Sequence, residues 1–334
     1  MECDSKIKIS TIDYYHRDGV MNVFCGEFPK KLNGNRIYFE DPLLPVPQIN
    51  LAKKSPNAGA SEIYMESLLK YIRQNSSTLK YKPHFVTTRH LLCYIASEDY
   101  ELLKISAIRM NGIIYLFKTD DNTYLSHHSN HSEKFRHFFT KSSAREDFES
   151  DEVVRKGVFI AEIPKDQKEG GFWKVMYSGV VAAIDESMQH YEMKVFGGSL
   201  DDIAWKVRCC SLYWQAVFSD SPSIILGTRE WKRLETIRLL HRSDIPPMVA
   251  EADPKNPIWK VEDGEKRLQA FLDLVAKKVT TRVSPATSGR ILVGFWALLG
   301  RIMDKTATKA DQDPTNFRPT SDLITAGAGF GSHY

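Results

Sequence analysis

Between residues 157 and 226 the chain strings together short apolar runs of strand length, at 157–161, 177–182, 189–196 and 223–226, with one helical stretch, 212–218, among them. The runs at 189–196 and 223–226 read as strands. The helices fall between groups of strands without a regular strand–helix repeat. That excludes a doubly wound parallel sheet and predicts an α+β fold. With 334 residues, 42% of them hydrophobic, the chain can bury a full core as one large domain, expected to span residues 1–334.

Other elements follow from local patterns. Residues 1–60 are rich in turns and proline. Residues 61–75 read as a helix, with Ser61 as N-cap and Met65, Leu68, Leu69 and Ile72 as its apolar stripe. Residues 102–118 read as a hairpin turning at Met110-Asn111-Gly112. The polar stretch 122–152 reads as a helix with loops, 266–279 as an amphipathic helix, and the glycine-rich end, 325–334, as a flexible tail.

The strand at 189–196 carries Glu192-Met193-Lys194. Side chains alternate along a strand, so Glu192 and Lys194 share one face and Met193 takes the other. A carboxylate that holds a divalent ion beside an ammonium that steadies a phosphate suits phosphodiester chemistry. The plain alternative is a solvated ion pair of little energetic weight.

The surroundings favour the chemical reading. Gly157-Val158-Phe159-Ile160-Ala161, Tyr177-Ser178-Gly179-Val180-Val181-Ala182, Glu192-Met193-Lys194 and Ser211-Leu212-Tyr213-Trp214-Gln215 resemble, in order and spacing, the G-Φ-x-Φ-E, S-G-E-Φ-D, E-Φ-K and K-x-x-x-Q blocks of the decapping exoribonuclease (DXO) family, Φ being apolar. Phe85-Val86-Thr87-Thr88-Arg89 is similar to that family's F-V-x-W-R segment, and residues 104–115 to its following hairpin. The resemblance covers roughly residues 20–280. It implies mixed, largely antiparallel twisted sheets flanked by helices, with a nuclease-like cleft. It also implies magnesium- or manganese-dependent removal of incomplete or non-standard 5′ caps, followed by 5′-to-3′ degradation of the RNA. Some fungal members bind a larger nuclear exoribonuclease, so an exoribonuclease or other protein partner is a further expectation.

The departures lie at the metal. Ala161, Val180 and Ala182 stand where the family carries acids, and Ser211 where it carries a lysine. Glu192 is then the sole matched metal ligand; Lys194 and Gln215 would contact the scissile region, and Arg89 would hold phosphate. One carboxylate cannot offset two divalent ions held about 4 Å apart, although a single magnesium can use one or two carboxylates plus phosphate. Glu162, Asp185 and Glu186 are the nearby acids that could substitute: if a helix starts at Ala161, one step turns Glu162 about 100° away, and strand alternation or distance counts against Asp185 and Glu186. Removing three negative charges while keeping Lys194 and Arg89 turns the site toward holding an anionic 5′ end.

Three functions are therefore in view: a divergent member that binds RNA 5′ ends or caps with weak or lost hydrolysis, a working metal-dependent decapping nuclease with relocated ligands, and a protein-interaction module that keeps only the fold. A net charge of +3 is too mild to decide among them. Five cysteines without a CxxC pair, with Cys209 and Cys210 read as a buried inert pair, favour a reducing compartment. The polar first residues do not read as an export signal, and the longest apolar run, at 291–300, is too short to span a bilayer; the expectation is an intracellular protein, cytoplasmic or nuclear, with no membrane partner. His127 and His131 have the i, i+4 spacing of a zinc pair, with His128 and His137 nearby, but no cysteine or glutamate completes the set; a polar surface is the simpler reading. Trp173, Tyr177, Tyr213, Trp214 and Trp231 are candidates for base stacking, with core packing as the alternative for each.

Overall fold

The computed structural model describes residues 4–279 except 42, 50, 52–64, 98–104, 119–130, 141–152, 167–169, 201 and 252–256. All of them fall within a compact unit of residues 1–293; the second unit, 294–334, lies outside the described residues. So do the readings made for Ser61, His127, His128, the 291–300 run and the 325–334 tail.

Among the described residues eleven strands form two sheets: β1 (Lys8–Arg17), β2 (Val23–Cys25), β3 (Phe85–Thr88), β4 (Ile105–Met110), β5 (Ile113–Lys118), β6 (Val154–Pro164), β7 (Phe172–Val180), β8 (Ala183–Ile184), β9 (His190–Gly197), β10 (Ser223–Glu230) and β11 (Arg233–His241). The described helices are α1 (Ile37–Glu40), α2 (Glu66–Gln74), α3 (Arg89–Ser97), α4 (His131–Thr140), α5 (Ile203–Phe218), α6 (Ile245–Ala250) and α7 (Val261–Lys278). The larger sheet runs β2-β1-β6-β7-β3-β5-β4 and the smaller β11-β10-β9-β8. Among the described strands β3 with β5, β3 with β7, and β9 with β10 pair in parallel, and the other pairs are antiparallel. The α+β class and the largely antiparallel, mixed sheets are as expected.

Local chemistry explains the elements. Asn111 and Gly112 both have positive φ, 51° and 82°, the geometry that an Asn-Gly hairpin turn requires, and Met110 pairs with Ile113 across it. Within the turn-rich first sixty residues, β1 is a ten-residue strand laid against β6, with a register shift between Thr11 and Asp13. Met65, Leu68 and Ile72 bury the inner face of α2 against Tyr15, Val158, Ile160 and Met176. Leu69 departs from the expected stripe and is exposed, because Tyr71 takes the inward place.

The other face of the large sheet presents Phe159 and Tyr177, stacked at 5.3 Å, with Phe218 of α5 set edge-on to Tyr177. All three rings are fully buried, and each contributes about 1.5–3 kcal/mol by leaving water. In the small sheet, Met193, Ile225 and Leu234 cluster with Phe135 and Phe139 of α4. Their strands' opposite face carries Glu192 and Lys194, level in the parallel ladder with Ile224 and Leu226.

Candidate active site

Arg89 opens α3 directly after β3, so its backbone is fixed from both sides, and the Leu91 amide donates to Thr88 Oγ1 at 3.4 Å. Its side chain crosses to the small sheet, where Arg89 Nη1 meets Glu192 Oε2 at 3.1 Å. Gly179 makes that crossing feasible. A Cβ there would lie 2.7 Å from Arg89 Cδ and 2.9 Å from Arg89 Cβ, so the glycine of the Ser178-Gly179 pair is required by close approach rather than by a turn.

Glu192 is fully engaged. Besides the guanidinium, the Met193 amide donates to Oε1 at 3.3 Å, and Ser219 Oγ lies 3.3 Å from Oε2 while its own proton has the nearer Gln215 carbonyl at 2.6 Å. Ser219 follows α5, and its carbonyl is in turn bonded to His190 Nδ1 at 2.7 Å, while His190 Nε2 is bonded to Tyr14 Oη at 2.7 Å. Cys93, one turn after Arg89 on α3, faces the same pocket of charge; burial pushes its thiol up to about 12. Burial likewise raises Tyr177 well above the usual tyrosine value, and its buried hydroxyl has no partner among the described residues.

The three positions where the resemblance places further acids fall in separate surroundings. Ala161 is buried on the β6 face that also carries Phe159. Because Gly179 faces Arg89, alternation turns Val180 to the opposite face, beside Lys156 in the ladder. Ala182 lies past the end of β7 and clusters with Met193. The neighbouring acids are occupied elsewhere. β6 continues as a strand through Pro164 rather than starting a helix, so Glu162 points away from Ala161's face and approaches Lys174 at 3.9 Å. Asp185 accepts from the Ser187 and Gln189 amides of its own turn, and the exposed Glu186 pairs with Arg36 at 3.2 Å. Among the described residues no group of three His, Cys, Asp or Glu side chains is placed to hold a metal ion, His131 and His137 of α4 included.

Two residues along β9 the surroundings change. Lys194, Ser211 and Gln215 line a recess of about 430 Å³, whose wall also carries Arg208, Arg267, Ser97, Trp205 and Trp259 and, among the described residues, no carboxylate. Ser211 and Gln215 stand one turn apart on α5 and are bonded at 3.1 Å. Arg267 is held in place by donating to the Ala96 carbonyl at 2.6 Å, and Trp259 by donating to the Lys206 carbonyl at 3.0 Å. Lys194 makes no hydrogen bond or ion pair among the described residues. Its pKa is lowered chiefly by burial, with Glu192 pulling it up and Arg89 and Arg136 pushing it down. By surface area it is only half-buried, since the protein that crowds it leaves the recess open to solvent.

Arg208 and Arg267 were not singled out in the sequence. Arg208 was legible in principle, because 208, 211 and 215 follow the i, i+3, i+7 spacing of one helix face once α5 is started at Ile203 instead of Leu212. No sequence signal brings Arg267 here. Cys209 and Cys210 are buried, as expected, with Cys210 on the recess wall. Of the aromatic candidates, Tyr213 and Trp214 are core; Trp173 is half-buried and donates to Asp273 at 2.6 Å; Trp231 alone is widely exposed, at 76%.

No family model and no curated protein sequence matches the chain. Solved structures do. The fold superposes on Scheffersomyces stipitis Rai1 bound to (3′-NADP)+ and calcium with a TM-score of 0.62 at 14% identity, covering 85% of each chain. Candida albicans Rai1 with pU5 and Mn2+ gives 0.59 at 14% identity over 86% of each chain. The chain has the fold of the DXO family. Kluyveromyces lactis Dxo1 with manganese agrees, at 0.59 and 11% identity over 83% of this chain and 82% of that one. At such identities what is shared is the fold, and the site must be read from its own residues.

Proposed function

We propose that this DXO-fold protein binds RNA 5′ ends or caps through the recess of Lys194, Gln215, Arg208 and Arg267, with metal-dependent hydrolysis weak or lost. The observation that carries the reading is the division of charge along β9. The one carboxylate in the expected ligand set, Glu192, is paired with Arg89, whereas three cations and no described carboxylate line the recess. The donor set present does not fit two divalent ions: a metal would have to displace Arg89 from Glu192 and would find no group of three His, Cys, Asp or Glu side chains among the described residues. A terminal phosphate in the recess meets cations directly and needs no bridging ion. Gln215 and Ser97 supply neutral donors, and Trp205 and Trp259 an apolar wall.

The bound pU5 and (3′-NADP)+ of the Rai1 structures support RNA or a nucleotide-type cap as the ligand class. Four free cysteines among the described residues fit the reducing, intracellular setting in which we place the protein. The test is a fluorescence anisotropy titration of 5′-phosphorylated RNA in chelator. Binding that weakens with salt and with Lys194→Ala supports the function; no binding at low salt returns the chain to the interaction-module reading.

A further inference from the structure

We propose that RNA held by its 5′ end in the recess continues along the end of β9 to Trp231, whose indole stacks on a base several nucleotides downstream. This rests on the RNA-binding function proposed above and adds a second contact site to it. Trp231 is 76% exposed and has φ of 52° in the two-residue turn between Glu230 and Arg233. Both local terms are unfavourable, since a bulky side chain is strained in the left-handed region and a bare indole leaves apolar area in water. Glycine would avoid both. Arg229 Nη1 donates to the Trp231 carbonyl and so anchors the turn in that conformation.

The path from the recess to the indole passes Phe196 and Gly197, neighbours on β9. Phe196 lies on the recess wall with the Arg208 guanidinium 5.8 Å from its ring centroid. The next residues, Gly197 and Gly198, have no side chains, and with Thr228, Arg229, Glu230, Trp231 and Glu235 they line a second open recess of about 430 Å³. A Cβ at Gly197 would sit 3.4 Å from Arg229 Nη2, so the glycine leaves that guanidinium accessible. Arg233 pairs with Glu235 at 3.5 Å, and Asp202 lies 3.4 Å from a Cβ built at Gly198, so Arg229 and Lys232 balance Glu230 and Asp202 along this groove and the indole supplies the contact. An aromatic platform beside a cationic recess suits single strands without regard to sequence, because every base has a face to stack.

The test compares a 5′-phosphorylated dinucleotide with a 5′-phosphorylated decamer on the full chain. Trp231→Ala should weaken the decamer about tenfold and leave the dinucleotide unchanged, and Trp231→Phe should restore most of the loss. Trp231→Gly should lose decamer affinity equally while melting no lower than wild type, which a merely structural role would not give. Equal decamer affinity for wild type and Trp231→Ala, or equal loss on both RNAs, overturns the path but leaves the recess intact. Failure of wild type to bind either RNA removes the underlying function itself.

Discussion

Glu192 and Lys194 stand two residues apart on one strand and one face, yet their electrical surroundings are opposite. Glu192 is buried against Arg89, Ser219 and its neighbour's amide, a closed and nearly neutral cluster. Lys194 opens into a recess with Arg208 and Arg267 and has no described partner. A nuclease of this fold would need the first region open to metal and the second to phosphate. Here the first is plugged by the protein's own cation and only the second is open. On the function proposed above, binding would be separated from metal chemistry over about 7 Å of strand.

The closed region should break hardest. Arg89→Ala leaves the buried Glu192 carboxylate uncompensated and should cost about 3–5 kcal/mol of stability, read as a lowered denaturant midpoint. Adding Glu192→Gln should recover part of the loss. If Arg89→Ala unfolds no earlier than wild type, the cluster is not closed as described. Gly179→Ala tests the same approach from the sheet side; Arg89 cannot retreat from a new Cβ without losing Glu192, and a loss of about 1–3 kcal/mol is expected.

The open region should respond in binding rather than stability. Lys194→Ala should weaken 5′-phosphorylated RNA about tenfold and reduce the salt slope by about one, with Tm little changed. Glu192→Gln sharpens the contrast, because it removes a negative charge beside Lys194 and frees Arg89. RNA affinity without metal should rise severalfold, whereas in a metal-dependent site the same substitution would abolish function.

The smallest expected effect is on pH. Lys194 has a pKa below the usual 10.5, so just below that value the unfolded chain binds a proton that the folded site gives up. Stability contributed by this group therefore rises with pH through that window. Lys194→Met should be the more stable protein at neutral pH, and the gap in Tm should narrow as pH climbs. A gap that widens would reverse the sign.

What the sequence revealed follows from how local each feature is. The Asn111-Gly112 hairpin and β9 were legible because a turn with two positive φ values and a two-residue alternation are written in adjacent residues. Helix α3 was not. Leu91, Leu92, Cys93, Tyr94, Ile95 and Ala96 are all buried, so it shows no polar face to mark it as a helix. The resemblance named Arg89, but only the fold shows its guanidinium on Glu192 rather than facing an open phosphate site. Likewise Ala161, Val180 and Ala182 look equivalent as missing acids, yet the register of β6 and β7 sets them in different surroundings.

The separation of binding from metal chemistry is tested most directly by one titration. Labelled 5′-phosphorylated RNA is followed by anisotropy in EDTA and again in manganese, and the RNA is recovered from each sample and sized. The expected result is the same affinity in both and full-length RNA after incubation. Binding that appears only with manganese, or RNA shortened from its 5′ end in a manner abolished by Glu192→Gln, would contradict it.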